Sequence, residues 1–328
     1  MRDRKNWLRL IGLALLLFLL WQIDVRQLVT VLTQVAPLPL GVAILLNIPQ
    51  ISLKACRWRW LLRAQQTQYG IWAATLSYFG SIFIGLLTPG RLGEFVKAMH
   101  VNQDCDVAMG QAFSSVLADR LFDLYALLVV GGAALLSLTA WRDSNSVLGL
   151  ALLALLLTLP LAVFLHEGVF GRIRMMGSYL GRPGWWLFAS QGWLLELRNG
   201  LRQLSLPWLL AAVGMTVLAY TIFFGQCYLL ALAVGLKTGF VQVSFAVALG
   251  SLVTLLPISI SGLGTREAAM IVYLGVVGVP AEAALGFSLL VFVTFYVAGG
   301  LLGAVAWWMK PVQLPITRLE RQGRDRAA

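Results

Sequence analysis

Apolar residues along the chain fall in long blocks joined by short polar stretches. Six blocks run unbroken, at about 7–23, 38–56, 109–139, 146–165, 206–235 and 281–309. A membrane-crossing α-helix needs about 20 mainly apolar residues, so each block predicts one full span. None alternates apolar with polar positions as the strands of a barrel do. Two further apolar stretches, about 70–88 and 240–280, are interrupted by glycine, proline and charge.

The first interruption reads LLTPGRLGEFVKA over residues 86–98. Pro89 and Gly90 stop the incoming helix, and proline also suits the first turn of the next one. A short polar helix is expected to follow and to carry Arg91, Glu94 and Lys97, with Gly93 a further backbone break and Arg91 and Glu94 three apart on one face. The second interruption reads LPISISGLGTREAA over 256–269. Pro257, Gly262 and Gly264 break the backbone, Thr265 is the expected helix cap, and Arg266 with Glu267 opens the returning helix. Both breaks are expected to be re-entrant hairpins, the first entered from the cytoplasm and the second from the outer side.

Each half of the chain then reads span, span, broken hairpin, span. Blocks beginning near 38 and 109 correspond to those near 206 and 281, and Arg91 to Arg266. Three spans per half is odd, so the second half runs upside down relative to the first. The expected fold class is all-α: a polytopic integral membrane protein of about six full spans plus two re-entrant broken-helix hairpins. They form one transmembrane domain of two inverted repeats, 1–139 and 146–309. In such repeats discontinuous helices meet near the bilayer midplane and form the binding site. Segment 166–205 reads as a cytoplasmic interfacial piece, with Leu194, Leu197, Leu201 and Leu204 at helical spacing. Residues 310–328 read as a basic cytoplasmic tail.

Composition sharpens this picture. Hydrophobic residues make up 59% of the 328 and charged residues 12%, against roughly 45–50% and 25% in soluble domains. That excludes a soluble globular or disordered chain, and the net charge of +11 does not imply nucleic acid. Eighteen Lys and Arg fall on one side of the expected topology, including Lys54, Arg57, Arg59 and Arg63. Only Arg26, Arg142 and Lys237 fall on the other. This imbalance puts both termini in the cytoplasm and assigns the basic residues to contact with anionic lipid. The expected location is the cell (inner) membrane. Cys56, Cys105 and Cys227 lack metal-ligand spacing and read as small apolar residues. His100 and His166 read as interfacial, and Glu282 as a helix N-terminal charge.

Eight charges stand within or beside the expected membrane. They are Arg91, Lys97, Arg120 and Arg266 against Glu94, Asp119, Asp123 and Glu267. Asp119 and Asp123 share a helix face. At about 2.5–3.5 kcal/mol each when unpaired at the bilayer centre, eight would cost roughly 20 kcal/mol. They must pair, pinning the hairpins, or line a wet polar site. Free N–H groups at re-entrant helix starts beside Arg91 and Arg266 suit a phosphate, although the eight charges sum to zero. The candidate binding residues are Arg91, Glu94, Arg120, Arg266 and Glu267, supported by Lys97, Asp119 and Asp123. No catalytic residue, metal site or cofactor is expected.

PGRLGE at 89–94, DRLFD at 119–123 and PISISGLGTRE at 257–267 resemble the hallmark motifs of one family. It is the flippase-like transmembrane region of lysylphosphatidylglycerol synthases. The resemblance covers nearly the whole chain. It implies a region that moves a phospholipid between leaflets, while a separate domain attaches the amino acid. That domain is not expected here, so aminoacyl transfer is not implied. Nor does the family fix the lipid. The leading expectation is a flippase or scramblase for an anionic or phosphate-bearing lipid. No G-x-x-x-x-G-K-[ST] loop is present, so no ATPase is expected in the chain. A non-transporting partner of envelope-synthesis enzymes and a lipid-headgroup enzyme are the alternatives.

Overall fold

A computed structural model describes residues 25–137, 191–255 and 262–312. Expected features at 7–23, 146–165, 166–190, Pro257, His166 and the tail beyond 312 lie outside the described residues. Among the described residues every regular element is helical.

Four helical stretches are long and apolar enough to cross a membrane: Pro37–Ala64, Met109–Ser137, Leu206–Ala233 and Ala281–Met309. They coincide with four of the six expected blocks. The first runs well past its expected end at 56, a difference that matters for the site. It follows α1 (Val25–Thr33) and consists of α2 (Pro37–Leu45) and α3 (Asn47–Ala64), joined through helical Leu46. Between it and the next span lie α4 (Ile71–Leu86), a 3-10 segment (Pro89–Phe95) and α5 (Val96–Cys105). The second span is α6 (Met109–Ser137), followed after the undescribed stretch by α7 (Gln191–Arg202) and then α8 (Leu206–Ala233). Next come α9 (Phe240–Thr254) and α10 (Thr265–Val276). The last span is α11 (Ala281–Phe292), a π-helical segment (Val293–Ala298) and α12 (Gly299–Met309).

Helices α4 and α9 have 16 and 15 residues. At 1.5 Å per residue they are about 22–24 Å long, short of a hydrocarbon core of about 30 Å. Each leans on a long helix of the other half: α4 on α12, and α9 on α6. Because lipid is as apolar as a side chain, helices associate in it through close approach at small residues. The α4–α12 contact shows this. A Cβ on Gly303 would stand 2.6 Å from the Phe79 carbonyl oxygen, and one on Gly300 would stand 2.8 Å from Leu86 Cδ1.

Helices α2 and α3 pack on α8. The two largest buried clusters lie around Trp58, Tyr78, Val101 and Val116 and around Phe224, Leu230, Met270 and Phe287. In α7, Leu197 and Leu201 are buried, with Leu201 against Leu61 and Ala118. Gln65 Nε2 ties the helix down by donating to the Gly200 carbonyl, 3.0 Å away. His100 is buried: its Nε2 lies 2.9 Å from the Lys310 carbonyl oxygen and its ring meets Trp307 edge-on.

Candidate functional site

The site is built on α6. Asp119 and Asp123, one helical turn apart, meet the guanidinium of Arg57 from α3. Arg57 Nη2 lies 2.6 Å from Asp119 Oδ1 and 2.9 Å from Asp123 Oδ1. Its Nε donates to Asp119 Oδ1 and its Nη1 to Thr216 Oγ1, each at 2.9 Å. Lys97 Nζ takes the other Asp119 oxygen at 2.6 Å, where Tyr78 Oη also donates at 3.1 Å. Lys54, one turn before Arg57, reaches Asp123 Oδ1 at 3.2 Å. Arg57, Lys97 and Asp119 have no solvent exposure. Burial this deep is tolerable because each carboxylate oxygen meets a cation or a hydroxyl.

Sequence reasoning missed Lys54 and Arg57. Both count with Arg59 and Arg63 among the basic residues at the end of the second span, where positive charge signals topology. Lys54 falls within the expected block 38–56 and Arg57 one residue past it; the helix continues to Ala64, so neither marks its end. Their removal from the cytoplasmic tally leaves Arg59 and Arg63 at that joint.

At the first break, Thr88 ends α4 and its Oγ1 accepts the Gly93 N–H at 2.7 Å. The chain then enters the 3-10 segment, which carries Arg91 and Glu94 of the expected short helix, and α5, which carries Lys97, starts at Val96. Arg91 has a φ of 56°, a left-handed conformation that costs a non-glycine residue about 1–2 kcal/mol. Two glycines let the segment lie against α4: a Cβ on Gly93 would stand 2.4 Å from the Ile84 carbonyl oxygen, and one on Gly85 would stand 2.4 Å from Glu94 Cγ. Glu94 is thereby pressed toward α6, and its Oε2 lies 2.6 Å from Arg120 Nη2. Arg91 Nη1 stands 3.8 Å from Glu94 Oε1. Expected neighbours at i and i+3 therefore pair only loosely.

The second break turns on Gly262 and Gly264, with φ of 74° and 81°. The cap is not Thr265, which is the first residue of α10. Glu267 performs that role, its Oε2 accepting the Gly264 N–H at 2.6 Å. Its other oxygen accepts Arg266 Nη2. A side chain reaching back from the third helical position satisfies an N–H that the helix leaves free.

Between the two breaks lies a cavity of about 340 Å³. Lys54, Arg91, Arg120 and Arg266 line it, together with Glu94 and Asp123. Leu121, Leu124, Phe223, Val247 and Phe295 give it an apolar wall. Lys97, Asp119 and Glu267 stand behind that lining as partners of the residues in it. Tyr296, from the π-helical segment, lies under the arginines of both breaks. The guanidinium carbons of Arg91 and Arg266 are 4.9 and 4.8 Å from its ring centroid. A π-bulge shifts a side chain's direction within a helix and recurs at functional sites; this one also leaves the Thr294 carbonyl to Asn47 Nδ2, 2.9 Å away.

The expected charge balance of zero is corrected. With Lys54 and Arg57 the cluster holds six cations against four carboxylates, an excess of two positive charges. Hydrogen bonding is incomplete as well. Arg91 Nε, Arg120 Nε and Arg266 Nε and Nη1 are buried and have no hydrogen-bond partner among the described residues.

No curated protein matches the chain in sequence. A family model described as the lysylphosphatidylglycerol synthase TM region matches residues 7–303, which include both breaks and all ten charges of the cluster. A match over this much of the chain, with an all-helical fold and several membrane-length apolar helices, settles the family. The chain is a membrane protein that belongs to the lysylphosphatidylglycerol synthase TM region family.

Proposed function

We propose that the protein is a lipid transporter, a flippase or scramblase that moves an anionic or phosphate-bearing lipid between leaflets without an ATPase of its own. One observation carries this reading. A single cavity presents four cationic side chains beside an apolar wall, a division that matches a headgroup and the first part of its tails. Family membership supports it, since the family's name ties the region to enzymes of lipid modification. A cluster that served only to pin the hairpins would close its charges on one another. This one keeps an excess of two cations and buried N–H groups with no hydrogen-bond partner among the described residues.

In this reading Arg91, Arg120 and Arg266 hold the headgroup, and Glu94, Asp119, Asp123 and Glu267 position the arginines. The two breaks are re-entrant hairpins of inverted repeats. The exchange of partners, with α4 on α12 and α9 on α6, is what a two-fold relation between halves produces. The chain sits in the inner membrane with both termini in the cytoplasm, where it could serve envelope-synthesis enzymes. Cysteines placed at Thr88 and Ser261 then label from opposite sides of the membrane; labelling from one side counts against the inverted hairpins. The function itself is tested by exchange of a fluorescent anionic lipid between leaflets of protein-containing liposomes. Exchange no faster than in protein-free vesicles, across a panel of anionic lipids, overturns it.

A further inference from the structure

Buried N–H groups without partners are rare in folded proteins and call for an explanation. Arg266 presents the sharpest case. Its side chain is 3% exposed, its Nη2 is committed to Glu267, and it lines the cavity. Its Nε and Nη1 are buried and meet nothing in the described residues. Arg91 lines the same cavity, contacts the same Tyr296 ring and holds an unpartnered Nε. Two guanidiniums from two different hairpins thus offer donors to one space. Guanidinium forks match phosphate oxygens in geometry and charge.

Charge narrows the class of ligand. The cluster carries two more cations than carboxylates, and residues 256–261, which complete the second break, contain no ionisable side chain to offset them. Uncompensated charge away from water is strongly disfavoured. A phosphodiester brings one negative charge and leaves a cation over. A terminal phosphate brings about 1.5–2 negative charges at pH 7 and three acceptor oxygens.

The geometry points to a lipid headgroup with two negative charges, a phosphomonoester or a diphosphate, whose phosphate oxygens accept from Arg91 and Arg266. This rests on the lipid-transport reading and narrows its substrate. The apolar wall makes the ligand a lipid rather than a free anion.

The test uses the purified full chain in mild detergent. It is mixed with equal amounts of phosphatidate, phosphatidylglycerol and phosphatidylcholine of identical acyl chains, and bound lipid is counted by native mass spectrometry. Wild type is expected to take phosphatidate over phosphatidylglycerol by about tenfold. Arg266→Gln and, separately, Arg91→Gln bring the ratio to about twofold or less. Arg91 is 31% exposed at its side chain and only loosely paired, so that variant reports even if Arg266→Gln fails to fold. A large excess of inorganic phosphate leaves the bound phosphatidate in place. Equal binding of phosphatidate and phosphatidylglycerol, a preference surviving both substitutions, or displacement by inorganic phosphate each overturns the inference. Equal binding with leaflet exchange of phosphatidylglycerol intact leaves the transport reading standing with a monoanionic lipid. Loss of exchange for both lipids removes that reading as well.

Discussion

Arg57 and Asp119, 62 residues apart in sequence, form an ion pair with no solvent exposure on either side: Nη2 to Oδ1 is 2.6 Å, and Nε reaches the same oxygen at 2.9 Å. This pair joins α3 to α6 and forms the back of the cavity. Arg57→Met leaves Asp119 with Lys97, Tyr78 and the more distant Arg120 and is expected to cost about 3–5 kcal/mol. Arg59→Met, two residues on, removes a single partly buried bond from Nε to the Tyr69 carbonyl and should cost about 1 kcal/mol. Thermal unfolding in detergent compares them; equal shifts in midpoint would contradict the buried network.

The first break depends on glycine at positions where backbone meets backbone. Gly93→Ala places a Cβ against the Ile84 carbonyl, which has no flexible end to move aside. Overpacking of this kind costs about 1–3 kcal/mol. Gly214→Ala, on the exposed face of α8 with nothing within 4 Å, removes a flexible residue from a helix interior and should stabilise by up to about 1 kcal/mol. The two variants are expected to move the unfolding midpoint in opposite directions.

Tyr296 supplies the ring that Arg91 and Arg266 share. Tyr296→Leu removes two cation–π contacts worth about 0.5–2 kcal/mol each and is expected to slow leaflet exchange severalfold. Tyr296→Phe keeps the face and should retain most of the rate. If leucine and phenylalanine behave alike in that assay, the ring does not position the arginines.

A contrasting pair closes the end of the last span. Lys310 bonds Asp104 and, at 2.9 Å, Tyr69 Oη, with side chains 20% and 35% exposed for the ion pair. Solvent screens such a pair, so a double-mutant cycle over Lys310→Ala and Asp104→Ala should give about 0.2–1 kcal/mol, shrinking as salt is added. A coupling as large as that expected at Arg57 would mean that this joint, too, is sealed from water.

Much of the site was legible in sequence because charge inside an apolar block has few innocent explanations. Arg91, Glu94, Asp119, Arg120, Asp123, Arg266 and Glu267 stood out on that ground, and the structure brings them around one cavity. Lys54 and Arg57 did not, because a lysine and an arginine near the end of an apolar block look like topology markers. Only the true length of α3, which runs to Ala64, moves that end beyond them. Tyr78 and Tyr296 were invisible for the opposite reason: an aromatic residue in an apolar span looks like core. The cap at α10 was misplaced because a threonine before a helix is a strong signal, whereas a glutamate reaching back to Gly264 needs the coordinates. The four long helices followed directly from block length. The 3-10 geometry at Arg91 did not, since it arises from contact between Gly93 and α4 rather than from local preference.

The most direct test of lipid transport through this cavity is leaflet exchange of a fluorescent phosphatidate in liposomes, with wild type and Leu121→Trp reconstituted in equal amounts. Leu121 lines the cavity on its apolar side, and tryptophan there fills space without touching the charges. Exchange at least about tenfold faster than in protein-free vesicles for wild type, and near the protein-free rate for Leu121→Trp with its unfolding midpoint preserved, is the result expected. Wild-type exchange no faster than protein-free vesicles for phosphatidate and for phosphatidylglycerol alike, or a tryptophan variant that transports as well as wild type, would contradict it.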